Sequence, residues 1–84
     1  MDDEQFRRMA GISNRLKKAL EDKGAGGALT FGTTEDGGVS FTVNDRPFYT
    51  LEAGEIRTMN DDELFALLRD AMDDFIQNDP TALG

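Results

Sequence analysis

Residues 59–78, MNDDELFALLRDAMDDFIQN, constrain the fold more than any other stretch of this chain. Asn60 and Glu63 have the spacing of a capping box, in which the Asn60 side chain accepts from the Glu63 amide and the Glu63 carboxylate reaches back to Asn60. Met59 and Leu64 are spaced as a hydrophobic staple across that start. Asp61, Asp62 and Glu63 fall in the first turn, where free amides and the helix dipole favour carboxylates. Leu64, Phe65, Leu67, Leu68, Ala71, Met72, Phe75 and Ile76 then recur at helical spacing and cover about half of the circumference. Asn78 and Pro80 end the helix, because the residue before a proline is pushed out of the helical region.

The opposite face of this helix is acidic. Glu63, Asp70 and Asp74 stand in one line, with Asp73 beside them and Asp62 further round. Carboxylates at the helix start are accounted for by capping. Asp73 and Asp74 lie near the C-terminal end, where the dipole disfavours anions, and Asp is a poor residue for a helix interior. A solvated polar face is the plain explanation. A local rule broken without structural gain is also where function concentrates, so Glu63, Asp70, Asp73 and Asp74 are the candidate partner-binding residues.

Upstream, Phe6, Met9, Ser13, Leu16 and Leu20 repeat at three and four residues, with Ile12 on the flank, and predict a first helix from Asp2 to about Lys23. Ser13 reads as a small residue that permits close approach. Gly11, at a cost of about 1 kcal/mol relative to Ala, admits a kink or close packing. Arg7, Arg8, Arg15 and Lys18 form a basic face, expected to be solvated or paired within the chain. Gly24 caps the helix and Gly-Ala-Gly-Gly leads onward as a flexible connector. That glycine run follows a helix and precedes a strand, the reverse of a phosphate-binding loop.

Leu29–Thr34 and Val39–Asn44 alternate apolar and small polar residues, and Glu35-Asp36-Gly37-Gly38 between them is a hairpin signal. Asn44-Asp45 makes a second turn, and Arg46–Leu51 a third strand. Pro47 belongs at a strand start or on an exposed edge. Phe48 and Tyr49 are neighbours, so strict alternation places one of them off the core face. Glu52–Glu55 reads as a loop that passes through Ile56 and Arg57 to the capped helix. The expected fold is therefore α+β: helix, three-stranded antiparallel β-meander, helix, with both helices packed on one face of the sheet. Residues 1–79 form a single domain and 80–84 a short frayed tail.

The composition narrows function. With 84 residues the domain buries only about three-fifths of its unfolded surface, so a partner or second copy is a reasonable source of extra stability. There is no Cys and no His, which closes disulfides, thiolate or imidazole metal sites and imidazole catalysis. Neither Asp36 nor Asp61 opens a calcium-loop pattern, and no pair of carboxylates is placed for hydrolysis in a cleft. No enzyme activity, metal or cofactor is expected. No apolar run reaches membrane-spanning length, and a cytoplasmic location is the default.

The net charge is −8, distributed unevenly: residues 1–23 carry +1 and residues 24–84 carry −9. Such a surface repels nucleic acid and attracts basic partners. Two kinds of binding follow. In one, the carboxylates stand in for phosphates and occupy a basic groove. In the other, the apolar arc of the last helix, with Phe48 adjacent, forms a homodimer or partner interface.

In size, charge and element order the whole chain resembles small acidic phage-encoded inhibitors of the anti-CRISPR and DNA-mimic type, which share no sequence motif. The resemblance implies an inhibitor whose partner is a CRISPR effector or another nucleic-acid-binding complex, contacted through Glu63, Asp70, Asp73 and Asp74. The basic face of the first helix departs from a uniformly anionic mimic and favours a localised acidic patch.

Overall fold

A computed structural model describes residues 3–22, 24 and 29–79 of the chain. Helix α1 (Asp3–Glu21) is followed by strands β1 (Leu29–Thr33), β2 (Val39–Val43) and β3 (Arg46–Leu51), then by a short helix α2 (Ala53–Thr58) and by α3 (Asp61–Asn78). The strands form an antiparallel sheet in the order β1-β2-β3. Helix α1 packs on β1 and α3 on β3, and the two helices pack on each other. The expected α+β architecture is the observed one. The Gly-Ala-Gly-Gly connector beyond Gly24, the Pro80 stop and the 80–84 tail lie outside the described residues, as do Asp2 and Lys23.

Periodicity and burial agree except at Phe6, which leads the expected α1 stripe and yet is 54% exposed. Met9, Ile12, Leu16 and Leu20 of α1, Val39, Phe41 and Val43 of β2, and Leu64, Leu68, Met72 and Ile76 of α3 form one core with Leu29, Leu51 and Ile56. Ser13 is buried within the α1 stripe, as its small size allows. Gly11 is different. It is exposed, and a Cβ there would meet nothing within 4 Å, so the glycine serves no close approach. Gly24, with φ of 87°, ends α1 in the left-handed region and donates to the Glu21 carbonyl.

Both turns follow their local chemistry. Gly37 supplies a φ of 86° between β1 and β2, and the Thr34 hydroxyl accepts from the Gly38 amide at 2.9 Å. Asn44 and Asp45, with φ of 51° and 66°, make the two-residue turn between β2 and β3, the backbone geometry that best matches strand twist.

Two expectations fail for identifiable reasons. The first is that one of Phe48 and Tyr49 would leave the core face. The register pairs Phe41 with Tyr49 and Thr42 with Pro47, so Phe48 is the extra residue of a β-bulge. The bulge interrupts alternation, and both aromatics pack against the core. Phe48 lies 6.4 Å from Phe41 and 6.1 Å from Phe75, centroid to centroid. The second is the loop at Glu52–Glu55. Glu55 occupies the third position of α2 and its carboxylate accepts from the Glu52 amide at 3.0 Å, closing a short helical turn. The same carboxylate accepts from the Tyr49 hydroxyl at 3.2 Å and so ties β3 to α2.

Candidate functional site

The acids of α3 divide into those the fold uses and those it leaves outward. At the N-terminus, the Asn60 side chain accepts from the Glu63 amide at 2.8 Å, and the Glu63 carboxylate accepts from the Asn60 amide at 3.1 Å. Glu63 is thus exposed but engaged as a cap. Asp61 receives Arg8 Nε at 2.7 Å, and Asp62 receives Arg15 Nη1 at 3.0 Å. The Arg15 guanidinium also lies 4.1 Å from the centroid of the Phe65 ring, a cation–π contact. Arg8 reaches further, donating to the carbonyls of Ile56 at 2.9 Å and Met59 at 3.0 Å. Those carbonyls belong to the C-terminal end of α2 and the corner before α3, where a helix lacks donors of its own. Half of the basic face of α1 therefore pairs within the chain, while Arg7 and Lys18 stay exposed.

One and two turns further on, the arrangement changes. Asp70 and Asp74 are exposed and have no hydrogen-bond or ion-pair partner among the described residues. Together with Leu67, Ala71, Asp73 and Gln77 they line an open depression on the surface of α3. Asp73 is half-buried on the flank nearer α1, with Arg69 Nε 4.0 Å away on the preceding turn. The four candidate residues thus do not form one cluster. Asp70, Asp73 and Asp74 share the C-terminal half of α3. Glu63 sits about 10 Å back along the axis, given a rise of 1.5 Å per residue.

Leu67 and Ala71 were not among the sequence candidates. Their signal was present, since each lies three or four residues from an outward Asp and therefore on the same face. The rest of the apolar arc of α3 turns toward the fold. Leu64, Leu68, Met72 and Ile76 are buried, and Phe65, Leu67 and Phe75 pack partly against the core.

Among the described residues no group of three or more acidic side chains is placed to hold a metal ion. No helix among them is long and apolar enough to cross a membrane. Compared with protein-family models, curated proteins and solved structures, the chain shows no match.

Proposed function

We propose that this chain is a non-enzymatic protein-binding domain that acts as an inhibitor, docking the C-terminal half of α3 onto a basic nucleic-acid-binding surface of a partner. Asp70 and Asp74 are the central contacts, Asp73 flanks them, and Glu63 marks the N-terminal limit of the face. One observation carries this. The protein's own arginines pair with Asp61 and Asp62, yet Asp70 and Asp74 are left outward with no partner among the described residues, and Asp74 stands toward the end of the helix where no carboxylate is favoured. Leu67 and Ala71, which line the same depression as the carboxylates, give the patch a small apolar component, so charge contacts can be combined with desolvated area. The class of partner, a CRISPR effector or a similar nucleic-acid-binding complex in a bacterial cytoplasm, follows from the resemblance to anti-CRISPR-type inhibitors. The competing idea, a dimer or partner interface on the apolar arc of α3, would have to use the half-buried Phe65, Leu67, Ala71 and Phe75, since Leu64, Leu68, Met72 and Ile76 lie in the core.

The test is an affinity capture from nuclease-treated bacterial lysate at low and high salt, with an Asp70/Asp73/Asp74→Asn variant alongside. Capture of a nucleic-acid-binding complex that salt releases and the variant abolishes supports the proposal, since exposed charge contacts are screened over a Debye length. Equal capture by parent and variant sinks it.

A further inference from the structure

Asp36–Gly37 is the one place in the sequence where an Asp or Asn precedes a Gly. The pairing has a chemical consequence. The amide nitrogen that follows an Asp can attack that residue's own side-chain carboxyl, and glycine puts no side chain in the way. Both residues are exposed in the turn between β1 and β2, where Gly37 has a φ of 86° that glycine adopts without strain.

The turn holds the two reacting groups apart, and one residue does both. The Thr34 hydroxyl donates to the Asp36 carboxylate, which draws the electrophile back along the chain. The Thr34 carbonyl accepts from the Gly37 amide at 3.2 Å, which engages the proton of the nucleophile. The hydroxyl is itself fixed by the Gly38 amide, which donates to it at 2.9 Å. Gly38 sits hard against β3, since a Cβ there would collide with the Leu51 carbonyl oxygen. The restraint on Asp36 and Gly37 is thus anchored to the sheet.

We infer that Asp36–Gly37 is a site of spontaneous isomerisation to isoaspartate and that Thr34 guards it, so that the peptide rearranges only when the β1–β2 turn opens. In the open turn the Gly37 nitrogen bonds to Asp36 Cγ. The Cγ–OH bond of the protonated carboxyl breaks, and the hydroxyl leaves with the amide proton as water. The product is a cyclic succinimide. Water then adds at one of its two carbonyls. Attack at Cγ restores aspartate. Attack at the former backbone carbonyl breaks its bond to nitrogen and leaves isoaspartate, with the main chain running through the side chain. No other reactant is consumed, and the mass is unchanged. The bonds that restrain the carboxylate, Thr34 first, also lower its pKa from 3.8, which leaves less of the reactive protonated form. Isoaspartate lengthens the main chain inside a turn closed by the Thr34 amide and Gly38 carbonyl at 3.0 Å, so that pairing is lost with it.

The test is incubation of the folded chain at a fixed pH and temperature beside the same chain unfolded in guanidinium chloride. Peptide mapping then separates isoaspartate from aspartate at position 36. Folding should slow the appearance of isoaspartate at least about tenfold, because the turn has to open first. Thr34→Val keeps the branched side chain and removes the hydroxyl, and should speed the reaction in the folded chain at least about threefold. Thr34→Ser keeps the hydroxyl and should stay as slow as the parent, which separates the clamp from a general loosening of the hairpin. Equal rates in the folded and unfolded chain overturn the inference. So does a Thr34→Val rate equal to the parent's, a Thr34→Ser rate as fast as Thr34→Val, or an unfolded chain that forms no isoaspartate.

Discussion

Arg8 Nε donates to the Asp61 carboxylate across 2.7 Å, and the two terminal nitrogens of the same guanidinium donate to the Ile56 and Met59 carbonyls. One side chain on α1 thus holds the end of α2, the corner and the first residue of α3. Replacing Arg8 by Ala should cost about 2 kcal/mol, because two partly buried carbonyls lose a charged donor. In a domain of this size the melting temperature would fall by roughly 10 °C. Lys should recover little of that loss, since an ammonium cannot reproduce the planar fork. Asp61→Asn should cost less than about 1 kcal/mol, as expected for a largely exposed ion pair. Urea denaturation of the three variants distinguishes these outcomes, and equal losses for Arg8→Ala and Asp61→Asn would show that the carbonyls contribute nothing.

Two glycines should respond in opposite directions. Gly11 is an exposed residue inside α1 with open space around its missing Cβ, so Gly11→Ala should stabilise by about 0.5–1 kcal/mol. A Cβ at Gly38 would collide with the Leu51 carbonyl oxygen and crowd the Thr34 hydroxyl. Gly38→Ala should therefore cost about 1–3 kcal/mol through a forced shift between β2 and β3. Thermal melts of the pair check both signs.

Tyr49 should ionise above the ordinary tyrosine range, first because burial disfavours the phenolate and then because its hydroxyl donates to the Glu55 carboxylate. The folded-state pKa is raised, so the stabilisation is present below the ordinary value near 10 and is lost as pH rises through the folded-state value. As the chain has a single Tyr, tyrosinate absorbance reports this group alone. Glu55→Gln should lower the midpoint. A midpoint that does not move would remove Glu55 from the explanation.

Asp36 behaves in the opposite sense. The Thr34 hydroxyl donates to its carboxylate, amides of the turn add to that, and its pKa is lowered from the ordinary 3.8. Its contribution to the hairpin is present above that value and is lost as pH falls through the depressed one. The Asp36 carboxyl signal followed by NMR across acid pH should titrate below a free Asp, and Thr34→Val should bring it back toward one.

Asp70→Asn and Asp74→Asn should leave stability unchanged or raise it by a few tenths of a kcal/mol, since neither carboxylate has a partner and Asp74 opposes the dipole. Partner capture should nonetheless fail. A marked loss of stability in either variant would assign these residues to the fold and take them away from binding.

Much of the architecture was legible because it rests on local rules. The Asn60–Glu63 cap, the alternation in β1 and β2, and the stripe from Met9 to Leu20 each need only neighbours within a turn or a strand. Helix α2 was missed because its signal is thin: Glu is not a favoured capping residue, and Gly54 lies inside a helix only six residues long. The bulge at Phe48 was missed because alternation has no term for an inserted residue. On α3, the helical face of Asp70 and Asp74 was legible. That Asp61 and Asp62 are neutralised was not, because their arginine partners lie 53 and 47 residues away.

That separation has a consequence for how the chain is made. At roughly 5–20 residues per second, the 53 residues between Arg8 and Asp61 take about 3–10 s to synthesise. During that interval α1 exists with Met9, Leu16 and Leu20 but without the helix against which it packs. Because α3 supplies one wall of the core, the domain closes only once α3 has been made. A nascent chain stalled before α3 would offer chaperones a bare apolar stripe flanked by arginines, and the arrival of α3 is the event that withdraws it.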